Sequence, residues 1–134
     1  MPKTIVWIED DTDIIGSVVR QLERAGYKIE RLRSARDVFE NLDLVRRCDL
    51  ILLDMILPKG GVEQNFGQPT GLGILRQLRQ EFQVTQPVVV LSVIRREEIA
   101  KELKQELGVK DIITKPVRPS ELKRRVEAAL GISE

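Results

Sequence analysis

Asp49-Leu50-Ile51-Leu52-Leu53-Asp54 (DLILLD) decides the fold. It reads as a fully apolar strand, entered by one acid and left by another. A strand that is apolar throughout needs cover on both faces, and helices packed on the two sides of a sheet supply it. Similar runs occur at Lys3–Ile8 (KTIVWI) and Pro87–Leu91 (PVVVL). Both are short, rich in β-branched residues and read as buried strands.

The segments between these runs complete the pattern. Tyr27–Leu32 alternates and reads as the second strand, and Lys110–Thr114 as the last. Asp13–Ala25 places Ile14, Ile15, Val18, Val19 and Leu22 on one helical face, and Gly26 stops it. Ser34–Leu44 opens with Ser34 and Asp37 at capping-box spacing. Residues 55–70 read as a long loop rich in glycine and proline. Leu72–Phe82 aligns Leu75, Leu78 and Phe82. Arg95–Leu107 aligns Ile99, Leu103 and Leu107 and is closed by Gly108. Pro119–Leu130 turns Leu122, Val126 and Leu130 inward and ends at Gly131. The order βαβαβαβαβα with right-handed crossovers predicts an α/β fold of the (βα)5 kind, one domain over residues 1–134. Its doubly wound, five-stranded parallel sheet has the flavodoxin-like strand order 2-1-3-4-5.

Composition narrows the function. The chain has 134 residues, with 22 Lys plus Arg against 21 Asp plus Glu, for a net charge of +1. That balance gives no electrostatic case for direct nucleic-acid or membrane binding. The single cysteine, Cys48, allows no internal disulfide, so a reducing, cytoplasmic setting is expected. The sequence contains no histidine, which removes the commonest general base and metal ligand. No segment approaches the length of a membrane span.

In doubly wound sheets ligands bind outside the carboxyl ends of the strands. There the sequence places Glu9-Asp10-Asp11, Asp54, Ser92 and Thr114-Lys115-Pro116. Crowded carboxylates repel one another and call for a cation. Oxygen ligands without His or Cys favour a hard ion, with Mg²⁺ the expected one. A carboxylate can attack a phosphoryl group, and the transfer is mostly positioning and charge neutralisation. Lys115 and the Ser92 hydroxyl can each cover a phosphoryl oxygen. Taken singly, each group also has a plain structural reading as a cap, a turn residue or a solvated charge. Their joint placement at four strand ends is the stronger signal.

The acids after strand one, DLILLDMILP around Asp54, VVVLS ending at Ser92 and ITKPV around Lys115 resemble the receiver domains of bacterial response regulators, over nearly the whole chain. The resemblance implies a two-component phosphorelay switch. It takes a phosphoryl group from a sensor histidine kinase or phosphotransfer protein onto Asp54, and it is no enzyme beyond its own phosphorylation and dephosphorylation. It assigns Mg²⁺ to Asp10, Asp54, the backbone carbonyl of Ile56 and, through water, Glu9. Ser92 matches the switch hydroxyl, Lys115 the lysine that pairs with the phosphoryl group, and Pro116 the proline of a cis peptide. Asp11 is a supporting acid or a helix cap. An unidentified downstream protein would dock on the face built from the fourth helix, fifth strand and fifth helix, which carries Arg95, Arg96, Glu97, Glu98, Lys101 and Arg118. A homodimer is also compatible with the resemblance.

The sequence departs from the family's pattern in four places. Ile112 stands where an aromatic residue is usual, which puts its coupling to the switch hydroxyl in question. Val93 follows Ser92 where a small residue is usual. An apparent insertion, Lys59–Thr70 (KGGVEQNFGQPT), lengthens the loop after Asp54, with Phe66 as its anchor or a partner contact. Ile56 and Ile94 put apolar residues at positions where a polar one would orient water, so slow self-dephosphorylation is expected. A competing reading is a degenerate receiver that binds partners without phosphorylation. Another, a flavin or nucleotide binder, is opposed by the three acids where a phosphate loop would lie. The chain is expected to be either a single-domain regulator or one domain of a larger protein.

Overall fold

In the computed structural model, residues 3–9, 19–54, 70–92 and 100–131 are described. Five strands, β1 (Thr4–Ile8), β2 (Lys28–Leu32), β3 (Leu50–Asp54), β4 (Val88–Ser92) and β5 (Val109–Thr114), form one sheet. All neighbours are parallel, in the order β2-β1-β3-β4-β5. This is the doubly wound arrangement expected from the runs of apolar residues.

Period two divides those runs between two cores. Val6, Ile8, Ile51, Leu53, Val88 and Val90 face one side. There they meet α2 (Ala35–Glu40), α3 (Leu42–Arg47), α4 (Thr70–Gln80) and α5, the helical run over residues 100–106. Ile5, Trp7, Leu50, Leu52, Val89, Leu91 and Ile113 face the other. That side is covered by Val19 and Leu22 of α1 (helical over residues 19–24) and by Leu122 and Val126 of α6 (Pro119–Ala129). Leu50, Ile51, Leu52 and Leu53 are all fully buried, as a central strand requires.

The expected helix Ser34–Leu44 is two helices. Asn41 leaves helical geometry at φ −126° and ψ 39°, and its side-chain amide donates to the Asp37 carbonyl at 2.7 Å. A short amide that bonds backbone locally competes with the helix ladder, and the chain restarts at Leu42. At the head of α2, Ser34 Oγ accepts from the Asp37 amide. Asp37 Oδ2 reaches back to the Arg33 amide, one residue earlier than the capping box places it.

The other element ends differ from expectation by one or two residues. Asp54 belongs to β3, and helical backbone begins at Thr70, inside the expected loop. Two irregularities were not expected at all. Within α5, Glu102–Glu106 is wound as a π turn, closed by the Leu107 amide donating to the Glu102 carbonyl at 3.1 Å. In β5, Val109 pairs with Val88 and Asp111 with Val89, so Lys110 is an extra residue in the ladder. Between the two, Gly108 turns the chain with φ +65°, a conformation that disfavours a side chain.

Candidate functional site

The alternation that builds the second core also builds the site. Ile5 and Trp7 of β1, Leu50 and Leu52 of β3, and Ile113 of β5 all face α1 and α6. Two residues further on, each strand runs out of apolar sequence and presents Glu9, Asp54 and Lys115. The parallel order puts β1 beside β3 and brings these ends together.

Lys115 Nζ lies 2.9 Å from Glu9 Oε2 and 3.4 Å from Asp54 Oδ1. Glu9 is 1% exposed, and the Asp54 and Lys115 side chains are 10% and 19% exposed. Burial pulls the Lys115 ammonium down, but the hydrogen bond from Lys115 to Glu9 and the charge of Asp54 outweigh it, and its pKa is raised. The cation is therefore held charged between two carboxylates from different strands.

Ser92 closes β4 in register with Thr114, the residue before Lys115. The Lys115–Pro116 peptide is cis, as the resemblance implied. Ile112 points the other way and packs, partly buried, against the first core. Asp10, Asp11, Ile56, Val93, Ile94, Phe66 and Arg95–Glu98 lie outside the described residues. Among the described residues, no three Asp, Glu, Cys or His side chains gather as a metal cluster. Glu9 and Asp54 nevertheless supply hard oxygen donors, and with Lys115 they total one net negative charge. Oxygen donors with excess negative charge fit a hard divalent cation better than a soft one.

One residue at this end of the sheet was not legible in the sequence. Arg31 Nε donates to the Glu9 carbonyl at 3.0 Å, and its guanidinium carbon stands 5.2 Å from the centre of the Trp7 ring. An arginine in an alternating edge strand reads as solvated until the register is known. That register sets Arg31 directly across from Trp7.

The family described as the response regulator receiver domain matches residues 5–127 of the chain. The alkaline phosphatase synthesis transcriptional regulatory protein PhoP of Bacillus subtilis is 33% identical over 134 residues, covering this whole chain and 51% of that protein. The phosphate regulon transcriptional regulatory protein PhoB of Pseudomonas aeruginosa is 35% identical, covering 96% of this chain and 52% of that one. The chain thus spans about half the length of these relatives. The solved CheY-like receiver domain of Methanospirillum hungatei superposes with a TM-score of 0.76 at 22% identity, over 98% of this chain and 95% of that one. The BeF3-activated N-terminal receiver domain of Klebsiella pneumoniae RstA does so with a TM-score of 0.72 at 26% identity, over 96% and 98%. Sheet order, strand-end chemistry and sequence coincide, and the chain belongs to the response regulator receiver domain family.

Proposed function

We propose that this receiver domain takes a phosphoryl group from the phosphohistidine of a sensor kinase or phosphotransfer protein onto Asp54. The observation that carries the reading is the Lys115 ammonium held between Glu9 and Asp54. An Asp54 oxygen attacks phosphorus, a P–O bond forms and the P–N bond breaks. The electron pair goes to the imidazole nitrogen, which takes up a proton. Lys115 exchanges its contact with Asp54 for a phosphoryl oxygen, and the Ser92 hydroxyl donates to another. Asp54, Asp10, the Ile56 carbonyl and, through water, Glu9 would hold Mg²⁺. When bound, that ion supplies neutralisation of phosphoryl charge. Self-dephosphorylation is slow, because Ile56 and Ile94 offer no polar group to the water.

Phosphorylation shifts the domain between two conformations of one fold. The output is read by another protein on the face made by α5, β5 and α6, or by a second copy on that face. The chain catalyses only changes at its own Asp54. The related proteins of twice the length carry transcriptional regulators' names, yet the net charge of +1 makes direct nucleic-acid contact by this domain unfavoured. No helix among the described residues is long and apolar enough to cross a membrane.

A second reading, a receiver that binds partners without phosphorylation, is favoured by the departures at Ile112 and Val93, of which the structure describes Ile112. It packs on the core where a rotating aromatic would couple site to surface. Intact mass after incubation with Mg²⁺ and acetyl phosphate separates the two. A gain of one phosphoryl group, absent without Mg²⁺ and in Asp54→Asn, is expected. No gain, repeated with phosphoramidate, would leave the second reading standing.

A further inference from the structure

Arg31 grips the site from outside it. β1 ends at Ile8, but Glu9 stays tied to β2 at both ends of its backbone. Its amide donates to the Leu32 carbonyl at 3.0 Å, and its carbonyl accepts from Arg31 Nε at 3.0 Å. The first contact is an ordinary continuation of the parallel ladder. The second is not: a side chain supplies the donor where strand pairing has stopped. That carbonyl belongs to the rigid peptide group that follows Glu9, so fixing it constrains how Glu9 leaves the strand.

The grip is itself braced. Arg31 stands directly across from Trp7, and its guanidinium lies over the indole ring, which is buried in the second core. A planar guanidinium can stack and donate sideways through Nε at once, whereas a lysine ammonium is a point charge without that fork. Packing of Trp7 against the core thereby fixes Arg31, Arg31 fixes the Glu9 carbonyl, and Glu9 meets Lys115.

We propose that Arg31 is a positioning residue for the acidic end of β1, holding Glu9 in the orientation that supports Mg²⁺ binding and keeps Lys115 at Asp54. This rests on the receiver reading above, and the test separates the two. Mg²⁺ affinity is measured by amide NMR titration with MgCl₂ on the parent, Arg31→Met and Arg31→Lys, beside phosphorylation by acetyl phosphate and thermal melting. Arg31→Met is expected to weaken Mg²⁺ binding about tenfold, the scale of one lost charge-assisted hydrogen bond. Arg31→Lys is expected to recover at most part of that loss, because charge returns without the fork. Unchanged or tighter Mg²⁺ binding in Arg31→Met, with only a lower melting temperature, would overturn the proposal and leave Arg31 a packing residue. Should Arg31→Met fail to fold, Arg31→Lys decides: parental affinity overturns the proposal, weaker binding supports it. A parent that binds Mg²⁺ but takes no phosphoryl group would defeat the receiver reading alone.

Discussion

The Lys115 ammonium sits nearer Glu9, at 2.9 Å, than Asp54, at 3.4 Å. The lysine is thus anchored by Glu9, more deeply buried than Asp54, and leans on the proposed phosphoacceptor. Such an arrangement leaves Lys115 able to exchange its Asp54 contact without losing its tether.

Removing that cation should expose the repulsion it masks. Lys115→Met is expected to destabilise the domain at neutral pH by about 2 kcal/mol, since one partner of a buried pair is lost. Mg²⁺ should restore more stability to this variant than it adds to the parent. Thermal melts with and without millimolar Mg²⁺ check both statements, and an equal Mg²⁺ effect on the two proteins would contradict the second.

The π turn of α5 is held from both ends by α4. Arg76 meets the Glu102 carboxylate fork to fork, with Nη2 to Oε1 at 2.6 Å. The hydrogen bond to Arg76 lowers the Glu102 pKa, so its contribution is present above the ordinary glutamate pKa and is lost as pH falls through the lowered value. A double-mutant cycle with Arg76→Ala and Glu102→Gln should give about 0.5–1 kcal/mol of coupling at neutral pH, vanishing in acid. Coupling that persists unchanged in acid would rule out the charged pair as its source.

Arg79, one turn along α4, holds the other end. Its Nε donates to the Leu107 carbonyl at 2.9 Å and its Nη1 to Val84 at 2.7 Å, while burial lowers its pKa. Arg79→Met leaves two part-buried carbonyls without these donors, at a cost of about 1–3 kcal/mol. Amide exchange should accelerate first around Glu102–Leu107. Uniform acceleration over the whole domain would mean that the loss is global and the clamp is not local.

Cys48 is 5% exposed, donates to the Val45 carbonyl at 3.1 Å, and burial pushes its thiol up to about 11. The folded protein should therefore react slowly with thiol reagents at pH 8, far more slowly than the unfolded chain. Its raised pKa means that the neutral thiol's contribution is intact below about pH 9 and fades as pH rises towards about 11. Cys48→Ala should flatten that alkaline loss in a urea-unfolding series. An identical alkaline slope in parent and variant would assign the loss to other groups.

Local chemistry explains what the chain alone made legible. The apolar runs at Val88–Leu91 and Leu50–Leu53, short and flanked by turn signals, read as buried strands, Gly108 has the positive φ expected of a stop, and Asp54 and Lys115 fall at strand ends because the apolar runs end there. Each of these depends on composition over a handful of adjacent residues.

The remaining features depend on distant partners. The break at Asn41, the π turn at Glu102–Glu106 and the extra residue at Lys110 are one-residue changes of winding, and periodicity averages over them. Arg76 and Glu102 lie 26 residues apart, and Arg31 and Glu9 22 apart. By itself the sequence determined a doubly wound sheet with acids, a hydroxyl and a lysine at its carboxyl edge. Only the parallel register decided that Lys115 is shared between Glu9 and Asp54, and that Arg31 stacks on Trp7 to hold the strand that carries Glu9. Side chains without sequence proximity meet only when the sheet fixes which strand ends are neighbours.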